Sequence, residues 1–86
     1  MSLEQQLLNK HILIIDDDKI LNSSIRDILT AHGFSNLTSA YDIESSLDMI
    51  EKDQFDLFLL DIMLPDGDGY TLAKHIRKKG DTPILF

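Results

Sequence analysis

Three acidic residues stand where two apolar runs end. Asp16 and Asp17 lie at the exit of the run His11 to Asp16 (HILIID), and Asp61 lies at the exit of Asp56 to Asp61 (DLFLLD). In an α/β chain the carboxyl ends of neighbouring parallel strands open on one crevice, so acids far apart in the chain meet there. Successive strand residues face opposite ways, but at a strand exit the chain turns, and both Asp16 and Asp17 can reach the crevice. Clustered carboxylates raise the cost of ionising one another unless a cation intervenes. Mg²⁺ suits the task, because it prefers oxygen, keeps several waters, and needs one or two carboxylates with a backbone carbonyl, for which Met63 is the candidate. A carboxylate beside such a cation is also a nucleophile for a phosphoryl group, and Asp61 is the candidate for that role. Aspartates also cap helices and shape turns, which accounts for Asp18 and for Asp66 and Asp68 on either side of Gly67. Asp16, Asp17 and Asp61 terminate the two most apolar runs, where a purely local role explains less.

The elements that position these acids alternate. His11 to Asp16 is short, apolar and rich in isoleucine, as suits a central strand covered on both faces. Ile20, Leu21, Ile25, Ile28 and Leu29 then recur at helical spacing, with Asn22, Ser23, Arg26 and Asp27 as the polar residues between them. This predicts a helix over 19–32 that stops at a left-handed Gly33. Asn36 to Ala40 is a weak strand. Asp42 offers a cap to a second helix with Ile43, Leu47 and Ile50 on one face. After Asp56 to Asp61 the stretch Leu64-Pro65-Asp66-Gly67 forms a turn, and a third helix runs over 70–79 with Leu72, Ala73 and Ile76 inward. Ile84-Leu85-Phe86 begins another apolar strand. This alternation implies right-handed crossovers and a parallel sheet with helices on both faces. Residues 1–9 read as a short helical or frayed lead-in, with Met1 to Leu3 fitting a remnant of cloning.

Eighty-six residues make one small domain with a thin core, and the absence of cysteine leaves packing or a partner chain to hold it. The formal charge of −7 argues against direct nucleic-acid binding. The basic cluster Lys74, Arg77, Lys78 and Lys79 is better explained as cations at the negative end of a helix. No run approaches a membrane span or a signal peptide, so the expectation is a cytoplasmic protein. His11, His32 and His75 lack ligand spacing and are assigned structural or solvated roles. No P-loop, GxGxxG or GxSxG is present.

Three segments, HILIIDDDK, DLFLLDIMLPDGDGY and the terminal TPILF, occur in an order and at separations that resemble the receiver domain of two-component response regulators. The resemblance spans nearly all of residues 10–86, read as a partial receiver domain. It implies a flavodoxin-like sheet of order 2-1-3-4(-5), Asp61 as phosphoacceptor, Asp16 and Asp17 as Mg²⁺-binding acids, and the Met63 carbonyl as a further ligand. The implied phosphodonor is a histidine kinase or a phosphotransfer protein. Phosphorylation would shift the population of a signalling face that switches an output. No catalysis is expected beyond the domain's own phosphorylation and dephosphorylation.

The family's Ser or Thr at the end of the fourth strand and Lys at the end of the fifth have no counterpart up to Phe86. The fourth helix, fifth strand and fifth helix are likewise absent from the sequence, and Thr82, Lys78 and Lys79 do not replace the missing groups. A chain breaking off inside an apolar strand is expected to continue. If it does not, its open sheet edge invites self-association. The alternative function is therefore a non-switching receiver fragment, structural or oligomerising, with residual Mg²⁺ binding. A metal-dependent phosphatase with an aspartate nucleophile is disfavoured, because Met63 stands where a second acid is wanted.

Overall fold

The computed structural model describes residues 2–86; Met1, the first residue of the expected lead-in, lies outside them. Helix α1 (Leu3–Leu8) begins in a reciprocal cap, with the Ser2 hydroxyl accepting from the Gln5 amide and the Gln5 side chain accepting from the Ser2 amide. Strand β1 (Ile12–Ile15) follows, then α2 (Lys19–Ala31), β2 (Leu37–Ala40), α3 (Ile43–Lys52) and β3 (Leu57–Leu60). The turn expected after Asp61 is a small antiparallel hairpin of β4 (Met63–Leu64) and β5 (Gly67–Asp68). Helix α4 (Gly69–Lys79) and β6 (Ile84–Leu85) complete the chain.

The main sheet is parallel, in the order β2-β1-β3-β6, which is the expected 2-1-3-4 with β6 in fourth place. All four residues of β1 are buried, as its unbroken apolar run requires of a central strand. Strand β2 is an edge, which explains how it tolerates Thr38 and Ser39. In β3 burial alternates: Phe58 and Leu60 join Leu13, Ile15, Phe55, Leu72 and Ile76 in the core under α3 and α4. Ile43, Leu47 and Ile50 pack on that core as expected, and so does Ala73.

Helix α2 covers the other face and corrects the sequence reading. Ile20, Leu21 and Ile28 are exposed, whereas Asn22, read as a polar residue between the apolar positions, is completely buried. The face turned inward is Asn22, Ile25 and Leu29, a narrow stripe with a polar residue at its head. The helix ends as expected at Gly33, whose φ of 98° is a backbone state that favours glycine. No helix among the described residues is long and apolar enough to cross a membrane.

Candidate functional site

The parallel ladder continues one residue past the strands, and this places the acids together. The Asp61 amide donates to the Ile15 carbonyl at 2.9 Å, and the Asp16 amide donates to the Ala40 carbonyl at 3.1 Å. Asp16 and Asp61 therefore leave adjacent strands at the same level, and Asp17 begins the turn into α2. One carboxylate oxygen from each of Asp16, Asp17 and Asp61 lies within 4.8 Å of the others.

Their environments differ. Asp16 is only 7% exposed, Asp61 is half-buried and Asp17 is exposed. Burial pushes the Asp16 carboxyl above its ordinary pKa, the Asp18 amide donating to Oδ1 at 3.0 Å pulls it back, and the charges of Asp61, Asp17 and Asp18 raise it further. Hard oxygen donors held close enough to repel suit a divalent cation of the Mg²⁺ type.

The turn beneath these acids is fixed from both sides. Asp18 caps α2 by accepting from the amides of Ile20 and Leu21 at 3.0 and 3.1 Å. Behind it, the Asn22 side-chain amide donates to the carbonyls of Ile14, Asp16 and Ala40 at 3.3, 3.1 and 3.2 Å. One side chain thus ties the exits of β1 and β2 to the first turn of α2.

Beyond Asp61 the chain closes a loop. The Met63 amide donates to Asp61 Oδ1 across a long 3.4 Å, and the Gly69 amide donates to the Ile62 carbonyl at 2.6 Å. A Cβ on Gly69 would fall 2.3 Å from the Asp61 carbonyl oxygen, so only glycine allows this approach. Asp68 caps α4 through the Tyr70 amide at 2.7 Å. Asp66 reaches across to α3, accepting from Ile43 and Glu44 at 2.8 and 3.0 Å.

Of the residues singled out from sequence, Asp16, Asp17 and Asp61 come together, and Met63 begins the hairpin next to them with its side chain in solvent. The histidines stay apart from this crevice. At the opposite end of the sheet, His11 Nδ1 donates to the Gln54 carbonyl at 3.0 Å and Nε2 meets the Thr38 hydroxyl at 2.8 Å. His32 Nδ1 donates to the Ile28 carbonyl, and His75 stands 3.8 Å from Glu51. In the basic cluster, Lys79 pairs with Glu51 and Arg77 donates to the Thr82 carbonyl. Asn22, Gly69 and the reach of Asp66 to α3 were missed from sequence. For Asn22 a signal existed, its i, i+3, i+7 spacing with Ile25 and Leu29.

The sequence description of the response regulator receiver domain matches residues 12–86. The transcriptional regulatory protein CpxR of Escherichia coli K12 is 40% identical over 79 residues, covering 92% of this chain and 33% of that protein. The chain thus spans about a third of the length of the curated relatives it matches. A two-component response regulator from Clostridium difficile superposes with a TM-score of 0.83 at 39% identity, over 88% of this chain and 62% of that one. The response regulator TrrA of Thermotoga maritima, solved in complex with Mg²⁺ and BeF, gives a TM-score of 0.80 at 30% identity, over 87% of this chain and 65% of the other. With its flavodoxin-like parallel sheet and its aspartates at the strand exits, the chain belongs to the response regulator receiver domain family.

Proposed function

We propose that the chain is a phosphoacceptor module, with Asp61 receiving a phosphoryl group from a histidine kinase or phosphotransfer protein. Asp16, Asp17 and Asp61, together with the Met63 carbonyl, would hold Mg²⁺. The observation that carries the reading is the meeting of three carboxylates within 4.8 Å at the exits of two strands, one of them buried. When bound, Mg²⁺ supplies positive charge against the phosphoryl oxygens.

The chain's own part is positioning. Half-buried Asp61 is fixed at its amide by Ile15, which leaves its carboxylate within reach of a donor from solvent. A carboxylate oxygen forms the new bond to phosphorus as the bond from phosphorus to the donor imidazole nitrogen breaks. The electron pair of that bond remains on the nitrogen. A cytoplasmic setting, where such donors present phosphohistidine, accompanies this reading, as does a switched output. The net charge of −7 disfavours a direct contact with nucleic acid by this segment.

Intact mass after incubation with acetyl phosphate tests the reading. One phosphoryl group should be gained with Mg²⁺ and none with chelator, and Asp61→Asn should take up none. Uptake by Asp61→Asn at the level of the unaltered chain would defeat the assignment.

A further inference from the structure

The first three amides of α3 are served by two aspartates from different parts of the chain. The side chain of Asp42, the helix's own cap, accepts from the Ser45 amide, at 2.7 Å. The Ile43 and Glu44 amides instead donate to the two carboxylate oxygens of Asp66, at 2.8 and 3.0 Å. Water would satisfy such exposed amides equally well, so the helix alone gives little reason for a carboxylate to arrive from the β4–β5 turn. The hairpin has a reason. It contains only two ladder pairs, Met63 with Asp68 and Leu64 with Gly67, and so small a hairpin does not hold its shape unaided. Its base is closed by the bond from Gly69 to Ile62, and its middle is anchored by buried Leu64. Its tip is held by Asp66.

Packing repeats the same contact. Gly67 has φ of 156°, and a Cβ there would fall 2.7 Å from Ile43 Cδ1, so the turn lies directly on the first side chain of α3. The Asp66 carboxylate also faces the positive end of the helix, and the Ile43 amide holds its pKa below the ordinary value.

We propose that Asp66 is a positioning residue for the crevice, clamping the hairpin that carries Met63 onto the N-terminus of α3 and so fixing the loop that follows Asp61. This rests on the reading of Asp61 and Met63 as site residues given above. The clamp also joins the crevice mechanically to α3, so that a displacement of either reaches the other.

The test compares Asp66→Asn with Asp42→Ala in the full chain. Asp66→Asn keeps the side chain's shape but turns one of its two acceptors into a donor facing an amide. Asp42→Ala removes a cap from the same helix without touching the hairpin. Two readouts are taken: Mg²⁺ affinity by calorimetry, and amide hydrogen exchange over residues 63–69 in metal-free protein. Asp66→Asn should weaken Mg²⁺ binding about tenfold, the scale expected for a group that orients a metal ligand. It should also speed hairpin exchange, while Asp42→Ala leaves both unchanged and loosens α3 alone. Equal effects of the two variants would make Asp66 a helix cap and nothing more, overturning the proposal. Unchanged hairpin exchange in Asp66→Asn would overturn it too. If the unaltered chain takes up no Mg²⁺, the metal reading falls instead, and the exchange comparison still decides the clamp.

Discussion

The side-chain amide of Asn22 donates to the main-chain carbonyl of Asp16 at 3.1 Å, in a position with no solvent access at all. The same nitrogen also reaches the carbonyls of Ile14 and Ala40. Asn22 holds them to one point, and the carboxylate of Asp16 takes its direction from a backbone fixed in this way. The acidic cluster is therefore supported from beneath by a residue that carries no charge.

Replacing Asn22 tests that support. Asn22→Ala removes the donor and leaves buried carbonyls without it, at a cost of about 2 kcal/mol. Asn22→Asp should be worse, since it turns an acceptor on three acceptors. Urea denaturation of both variants measures the order. An Asn22→Asp chain as stable as Asn22→Ala would show that the nitrogen does not hold the carbonyls.

Gly69 is a second support without chemistry of its own. An alanine there must push the Asp61 carbonyl or the Ile62 Cα, both backbone, so the loop has to move. Gly69→Ala is expected to cost about 2 kcal/mol, in the range for overpacking, and to reduce phosphoryl uptake from acetyl phosphate. Wild-type uptake together with wild-type stability would mean that the approach is looser than its geometry.

Much of this architecture could be read from residue patterns, and the exceptions have physical causes. β1 and β3 were visible because burial in a parallel sheet demands unbroken apolar runs, and their terminal aspartates stood out against them. α2 was visible as a helix but misread in its facing. Its exposed Ile20 and Ile28 outweighed the narrow stripe headed by Asn22, and a buried asparagine looks polar in any pattern of hydrophobicity. Asp66 was recognised as a turn residue, but its partners on α3 lie more than twenty positions earlier in the chain. Local sequence carries no record of a contact made by tertiary folding. Gly69 sits in a glycine-rich turn where its neighbours obscure the one position that the fold requires.

The grip of Asp66 on α3 should be visible in acid. Its folded pKa is held below 3.8 by the Ile43 and Glu44 amides, so its stabilising contribution is present above that value and is lost as pH falls through the folded one. The stability difference between the unaltered chain and Asp66→Asn should accordingly be constant near neutrality and shrink below about pH 4, the ordinary aspartate range. Urea midpoints over the acid range measure it. A difference that persists undiminished to the acid end would show that charge plays no part in the contact.

Asp16 has the opposite sign. Burial and neighbouring acids raise its pKa above 3.8, so the folded state holds its proton more tightly than the unfolded chain does, and stability is lost as pH rises through the folded value. Asp16→Asn removes that cost, and the metal-free thermal midpoint at neutral pH should rise, by about 4 °C or more per kcal/mol relieved in a domain of this size. The same change takes a carboxylate from the proposed Mg²⁺ site. At a hundredfold excess over Kd, Mg²⁺ should stabilise the unaltered chain by about 2.7 kcal/mol, and Asp16→Asn should show little of that gain. Thermal unfolding of both proteins, with Mg²⁺ and with chelator, gives all four numbers. If Asp16→Asn were less stable than the unaltered chain without metal, the repulsion would not be the dominant cost at this position. If it kept the full response to Mg²⁺, Asp16 would not be a ligand.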